Sequence, residues 1–169
     1  MTLENLYKIN QLKQEPADKK EFEGLFTAAN ERLADAQNPS LSYSSRFDLA
    51  YNAAHGFSLA ALRAKGYRSD KRYLVFQCLE HTSELSKVQI RLFAKCHEKR
   101  NRAEYEGYFD ADEQLLKELV GRKYKVVKAA GRGYRLVMVI RDDSYLSEVI
   151  AKSGCFLHNP LRIKINKSL

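Results

Sequence analysis

The sequence predicts a mostly α-helical fold: an up-and-down bundle of four to five helices over residues 1–130, then a basic C-terminal extension of partly β character over residues 131–169. Three observations predict it. Apolar residues recur three and four apart in successive segments separated by turn formers. The longest such segment, 42–65, is rich in alanine and closes on Gly66. Beyond Gly131 the helical period gives way to β-branched and alternating runs.

TLENLYKINQLK (2–13) sets Leu3, Leu6, Tyr7, Ile9 and Leu12 at near-helical spacing, and Pro16 interrupts it. A second helix over about 18–36 carries Phe22, Leu25, Phe26, Ala29 and Leu33 on one stripe. QNPSLSYSS (37–45) is a turn with several N-cap candidates. SYSSRFDLAYNAAHGFSLAALRAK (42–65) follows, and Ala53, Ala54, Gly56, Ala60 and Ala61 let a neighbouring helix approach closely. KGYRSDKRY (65–73) reads as a loop, YLVFQCLEHT (73–82) as a shorter helix and SKVQIRLFAKCHEKRNRAEY (86–105) as a long one. The 42–65 and 86–105 helices are expected to pack antiparallel at the centre of the bundle. DADEQLLKELVGRKYKVVKAA (110–130) is the last expected helix, with acids in its first turn and lysines in its last, as the macrodipole favours. This assignment leaves no strand inside 40–125. In the extension, YRLVMVI (134–140) and LRIKIN (161–166) have strand character and DDSYLSEVIAK (142–152) suits a short helix.

The formal charge of +8 is unevenly distributed. Residues 121–169 hold eleven Lys/Arg against three acids, whereas the first 120 residues balance 18 basic against 18 acidic. Such asymmetry marks either a segment that meets polyanions or a solvated basic surface. No apolar run reaches the roughly 18 residues that a membrane span requires. MTLENLYKINQ lacks the apolar stretch of a signal peptide. Cys78, Cys96 and Cys155 lie far apart and form neither metal-ligand pairs nor a disulfide framework. Reduced thiols in a cytoplasmic protein are the expectation. No histidines sit at zinc spacing, and GRGYR (131–135) lacks the ending of a phosphate loop, so neither metal nor cofactor is expected.

One stretch, KRNRAEYEGYF (99–109), concentrates Arg100, Asn101, Arg102, Glu104, Tyr105 and Tyr108 near a helix end. On the 86–105 helix, Val88, Leu92 and Cys96 form an apolar stripe. His97, Asn101, Tyr105 and Tyr108 form a polar one beside it, with Arg100 and Glu104 a turn apart. The alanine-rich helix offers a complement: Asp48, Asn52 and His55, spaced i, i+4, i+7. A polar line on such a helix implies buried hydrogen bonding, because burying these groups unpaired costs about 1–3 kcal/mol each. Asp48 or His55 satisfying Arg100 in the core is the structural reading of this line; a ligand cleft is the functional one. A weaker group, Tyr43, Tyr51, Tyr67 and Tyr73 with Arg63, Arg68 and Arg72, has the composition of a stacking and phosphate surface, but solvated loop residues are the preferred reading.

RFDLAYNAAHGFSLAALRAKGYRSDKRYLVFQCLEHT, followed by KCHEKRNRAEYEGYFDADEQLLKELV, resembles the HEPN domains of prokaryotes over roughly residues 40–125. The resemblance implies a small four- or five-helix bundle, commonly dimeric, from a toxin–antitoxin or defence system. Strands inside 40–125 would sink both the expected bundle and this resemblance. The family's signature is an arginine, usually followed by a polar residue, then four to six residues and a histidine, and active members cleave RNA without metal. Arg100 matches the arginine and Asn101 the polar residue; the histidine position, four intervening residues on, holds Tyr105. A tyrosine with a pKa near 10 does not exchange protons at neutral pH as histidine does. His97 and His55 are the alternative acid/base groups.

The resemblance thus implies Arg100, Asn101 and Tyr105 as the catalytic set. Arg102, His97, Tyr108, Asp48 and His55 are the nucleic-acid-binding candidates, with Arg100, Asn101, Tyr105 and Asp48 or His55 lining one cleft. Two functions follow: a metal-independent endoribonuclease with an altered site, or a non-catalytic bundle that binds RNA or a nucleotide or recruits a partner. Expected partners are RNA or a nucleotide, a nucleotidyltransferase antitoxin, and a second copy meeting the chain near Arg100 and Tyr105.

Overall fold

A computed structural model of the chain describes residues 2–107, 112–128 and 134–140. The described chain is mostly helical. Helix α1 (Leu3–Lys8) starts at Thr2, whose hydroxyl accepts from the Asn5 amide at 3.2 Å. It stops well short of residue 13, because the Gln11 amide turns back to the Leu6 carbonyl at 2.9 Å and Asn10 takes φ 58°. Leu12 is nonetheless buried, in a small cluster with Leu6, Leu62, Leu74, Val75 and Cys78. Strand β1 (Lys13–Gln14) pairs antiparallel with β2 (Tyr67–Arg68).

Helices α2 (Lys19–Asp35) and α3 (Tyr43–Arg63) are capped by Asp18 and Ser42, each accepting from the amide three residues on. Then come α4 (Arg72–Gln77) and α5 (Leu79–Thr82). They divide the single helix expected over 73–82 at Cys78, where the Thr82 and Ser83 hydroxyls draw on the Cys78 and Leu79 carbonyls at 3.1 and 2.6 Å. Helix α6 (Lys87–Glu106) opens with a reciprocal capping box between Ser86 and Gln89. It ends at Gly107, whose φ of 65° is the left-handed conformation that glycine adopts without penalty. Helix α7 (Glu113–Val120) is capped by Asp112.

The last expected helix is corrected beyond Val120. Strands β3 (Arg122–Lys128) and β4 (Tyr134–Ile140) form an antiparallel hairpin, in register from Arg122 opposite Ile140 to Lys128 opposite Tyr134. RKYKVVK follows Gly121 and carries the β-branched pair Val126 and Val127, a composition that pays χ1 entropy in a helix and suits a paired strand. YRLVMVI is a strand as its composition predicts, and the hairpin bridges residue 130, where the composition changes. Segment 40–125 is therefore not free of strands: β2 and the start of β3 lie inside it. The segments expected over 142–152 and 161–166 lie outside the described residues.

Helix α3 is the axis of the fold, in contact with α2, α4, α5, α6 and α7. Its most extensive pairing is with α2 rather than with α6. Gly56 makes that pairing possible: a Cβ there would stand 3.0 Å from the Ala29 Cβ. Phe47, Tyr51, Phe57 and Ala61 of α3 enter the main core with Phe76, Phe93, Cys96, Leu116 and Leu119. The Phe76 and Phe93 rings stack at 5.4 Å, and Phe76 meets Tyr51 edge-on at 5.7 Å.

A buried cation closes the other end of α3. Arg63, only 3% exposed, donates to Glu21 at 2.9 Å and to the Glu15 and Pro16 carbonyls. Arg68 binds both Glu15 and Glu21. Together they fasten the start of α2 and strand β2 to the last turn of α3.

Glu21→Ala leaves Arg63 without its main counter-charge and is expected to cost about 2–3 kcal/mol. The hydrogen bond from Arg63 holds the Glu21 carboxyl below its ordinary value of 4.5. Its contribution is therefore present above about pH 4.5 and lost as pH falls through the lowered value. Urea melts from pH 7 to pH 3 should show the acid-side loss, reduced in the variant. Gly56→Val forces α2 and α3 apart and is expected to cost about 1–3 kcal/mol, read as a fall of several degrees in melting temperature.

Candidate functional site

Helix α6 carries the residues that the sequence singles out. Its apolar side buries Phe93 and Cys96, and these fix its rotation about its own axis. Successive residues on a helix lie about 100° apart, so neighbours in sequence face different grooves.

Arg100 turns toward α3. Its Nη1 donates to Glu104, and its Nε lies 3.8 Å from Asp48 Oδ1 with no hydrogen-bond partner. The guanidinium sits 5.5 Å from the centre of the Tyr51 ring. Ser44, Ser45, Asp48, Arg100, Ala103 and Glu104 line this groove of about 280 Å³.

Asn101 turns toward α4. With Tyr73, Arg91, Lys95, His97 and Glu98 it lines a second, larger cleft of about 500 Å³. The single cleft expected for Arg100, Asn101, Tyr105 and Asp48 or His55 is thus corrected to two grooves on adjacent sides of α6. Arg100 joins Asp48 and Glu104 in one, and Asn101 joins His97 in the other. Tyr105 lines neither and is 84% exposed. Arg102 is exposed and points its Nε at Glu106, 3.4 Å away. His55 packs edge-on against Phe76 at 5.8 Å and also lines neither groove. Tyr108 lies outside the described residues.

The stacking surface weighed for Tyr43, Tyr51, Tyr67 and Tyr73 with Arg63, Arg68 and Arg72 does not form, because these residues are dispersed. Tyr51 is fully buried, Tyr43 donates to the Asp112 carbonyl at 2.9 Å, and Tyr67 faces Tyr7. Arg63 and Arg68 belong to the ion-pair network of α2. Tyr73 remains at the second cleft, 46% exposed, while Arg72 donates to Asn52 Oδ1 at 2.7 Å.

His97 joins cleft and core. The Asn101 side-chain amide donates to its Nε2 at 3.1 Å, so the ring proton resides on Nδ1 and is donated to the Tyr51 hydroxyl at 2.7 Å. Burial, then the nearby positive charges of Arg100 and Arg72, hold the His97 pKa below the ordinary 6.5. Burial, reinforced by Arg72 and His97, pushes His55 down to about 4. Burial also raises the Tyr51 hydroxyl. At neutral pH the cleft therefore presents a neutral imidazole with both nitrogens engaged, an amide, an aromatic ring and two surface cations, of which Lys95 is paired with Asp112 at 3.4 Å.

Sequence reasoning identified His97 and Asn101 by their i, i+4 spacing but missed the rest of the α6 wall of the cleft. Arg91, Lys95 and Glu98 stand on the same helix at the spacing that continues this stripe toward the N-terminus, a readable signal. The Tyr51–His97 bond, 46 residues apart in sequence, had none. Among the described residues, no group of three or more His, Cys, Asp or Glu is placed to hold a metal ion. None of their helices is long and apolar enough to cross a membrane. Comparison with protein-family models, curated proteins and solved structures finds no match to this chain.

Histidine titration by NMR should place His55 near pH 4 and His97 below 6.5. Both values are lowered, so the unfolded chain binds more protons in this range, and stability falls as pH drops from about 6.5 toward 4. His55→Leu should flatten that slope.

Proposed function

We propose that this chain is a HEPN-like, RNA-directed protein of a toxin–antitoxin or defence system, and that it holds RNA rather than cutting it efficiently. The observation that carries this reading is the state of His97. Metal-free cleavage requires a group that takes a proton and another that gives one. His97, the histidine nearest the Arg100–Asn101 pair in sequence, spends one nitrogen on Asn101 and the other on Tyr51. Tyr105, at the motif's histidine position, projects into solvent and faces neither groove. Arg100 is neutralised in place by Asp48 and Glu104. What remains at the surface is binding chemistry: an exposed aromatic ring, an amide and cations beside a cleft.

The strands at 67–68 and from 122 count against the HEPN resemblance; α3 and α6, which carry the residues quoted for it, are unbroken helices. A homodimer meeting near Arg100 and Tyr105, and an antitoxin of nucleotidyltransferase type, belong to the same proposal. The exposed ring of Tyr105 supports such an interface. The net +8 of residues 121–169 adds an attraction for polyanions that salt should weaken.

The test is fluorescence anisotropy with labelled single-stranded RNA in EDTA, and gel electrophoresis of the same samples. Intact RNA, bound with an affinity that falls steeply between 50 mM and 200 mM salt, is the expected outcome. Tyr105→His should raise cleavage little, because the position faces neither groove. Cleavage by the unaltered protein that Arg100→Ala abolishes would establish the endoribonuclease reading instead. Absence of any RNA binding would leave a bundle that recruits a protein partner.

A further inference from the structure

We propose that the cleft between α4 and α6 is a subsite for one unpaired nucleobase of single-stranded RNA, with Tyr73 as its stacking face and Asn101 as the amide that meets the base edge. The proposal rests on the RNA-directed reading above and names the substrate class and the residues that recognise it.

Three features of the cleft point to a base rather than to an anion or an apolar ligand. The first is the position of Tyr73. It stands in the first turn of α4, whose next three residues, Leu74, Val75 and Phe76, are buried and anchor the backbone. Its ring lies 5.5 Å from the His97 ring at a 35° tilt, yet the residue remains 46% exposed. An aromatic side chain backed on one side and open on the other is the geometry on which unstacked bases settle.

The second is the fixed orientation of Asn101. A relay runs from the core: Phe76 packs on Tyr51, the Tyr51 hydroxyl accepts from His97 Nδ1, and His97 Nε2 accepts from the Asn101 amide. This consumes one of the two amide N–H groups and holds the plane of the side chain. One N–H and the Oδ1 acceptor remain for a ligand. Base edges carry adjacent donors and acceptors, which such an amide meets with two parallel hydrogen bonds. A phosphate offers acceptors only and would leave Oδ1 unmatched.

The third is the charge arrangement. Arg91 and Lys95, the latter paired with Asp112 at 3.4 Å, line the cleft toward the N-terminal end of α6, while Glu98 stands between them and Asn101 in sequence. The carboxylate repels phosphate from the Asn101 end and accepts from base N–H groups, so the backbone is directed to Arg91, with Lys95 shared between phosphate and Asp112. The volume, about 500 Å³, is of the size that small-molecule sites have. A duplex presents neither a free face nor a free Watson–Crick edge, so the subsite selects single strands.

The experiment compares four ligands by anisotropy or competition at fixed salt: a mixed-sequence RNA decamer, its duplex, a fully abasic decamer of the same charge, and nucleoside monophosphates. The unaltered protein should prefer the single strand to the abasic decamer by about tenfold, the lower part of the range for one stacked base. Tyr73→Ala should bring the ratio near one and Tyr73→Phe should keep it, melting temperatures showing that both variants are folded. Asn101→Ala should reduce the ratio with a smaller effect on the abasic decamer. RNA binding with a ratio that Tyr73→Ala leaves unchanged would overturn the subsite and spare the RNA-directed reading. Binding of monophosphates without decamers would overturn it in favour of a small-molecule pocket. Binding of none of the four would overturn both.

Discussion

Tyr51 is where the stability of this protein and the shape of its surface meet. Its ring is fully buried in the middle of α3, edge-on to Phe76 and with the Arg72 and Arg100 guanidinium groups within 5.8 Å of its centre. Its hydroxyl is too deep to be left without a partner, since an unmatched polar group there costs about 1–3 kcal/mol. His97 supplies that partner, and so the rotamer of a residue at the cleft wall is dictated by the needs of the core. Asn101 is held in turn. The orientation of the surface amide is therefore inherited from the interior through two hydrogen bonds.

The same economy governs the charges. Arg63, Arg68 and Arg100 are answered by Glu15 and Glu21, or by Asp48 and Glu104, within the first 107 residues. Their work is local: joining α2 and β2 to α3, and joining α6 to α3. The two histidines near this region are kept neutral mainly by burial, so the positive charge that lines the second cleft comes from Arg91 and Lys95. Division of labour on α6 follows from its pitch. Arg100 and Asn101 are adjacent in sequence, and about 100° of rotation sends one into an ion-pair cluster and the other into an open cleft.

Close helix approach is the remaining constraint. The alanines and Gly56 of α3 admit α2 to within a methyl group's reach at Ala29. Bulky residues fill the rest of the core, where Phe47, Phe76 and Phe93 pack, while Phe57 meets Phe26 of α2 edge-on at 5.1 Å. Small residues at the closest approach and large ones around it let a single helix serve as the partner of five others.

By itself the sequence determined what depends on local periodicity and local chemistry. The starts of α2, α3 and α6, the N-cap candidates ahead of α3, the strand at YRLVMVI and the i, i+4 spacing of His97 and Asn101 were all legible, because turns and helical faces are decided within a few residues. Only the tertiary structure decided the rest. RKYKVVK is a strand because YRLVMVI is there to pair with it, a choice between helix and strand that no residue of the segment makes alone. Leu12, beyond its helix, is buried because Leu62 and Leu74 come to meet it. Arg100 and Asn101 share a motif in the sequence and part company in space, and Tyr51 reaches His97 across 46 residues. Which side chains share a groove depends on how helices pack, and packing is settled by contacts that sequence spacing does not encode.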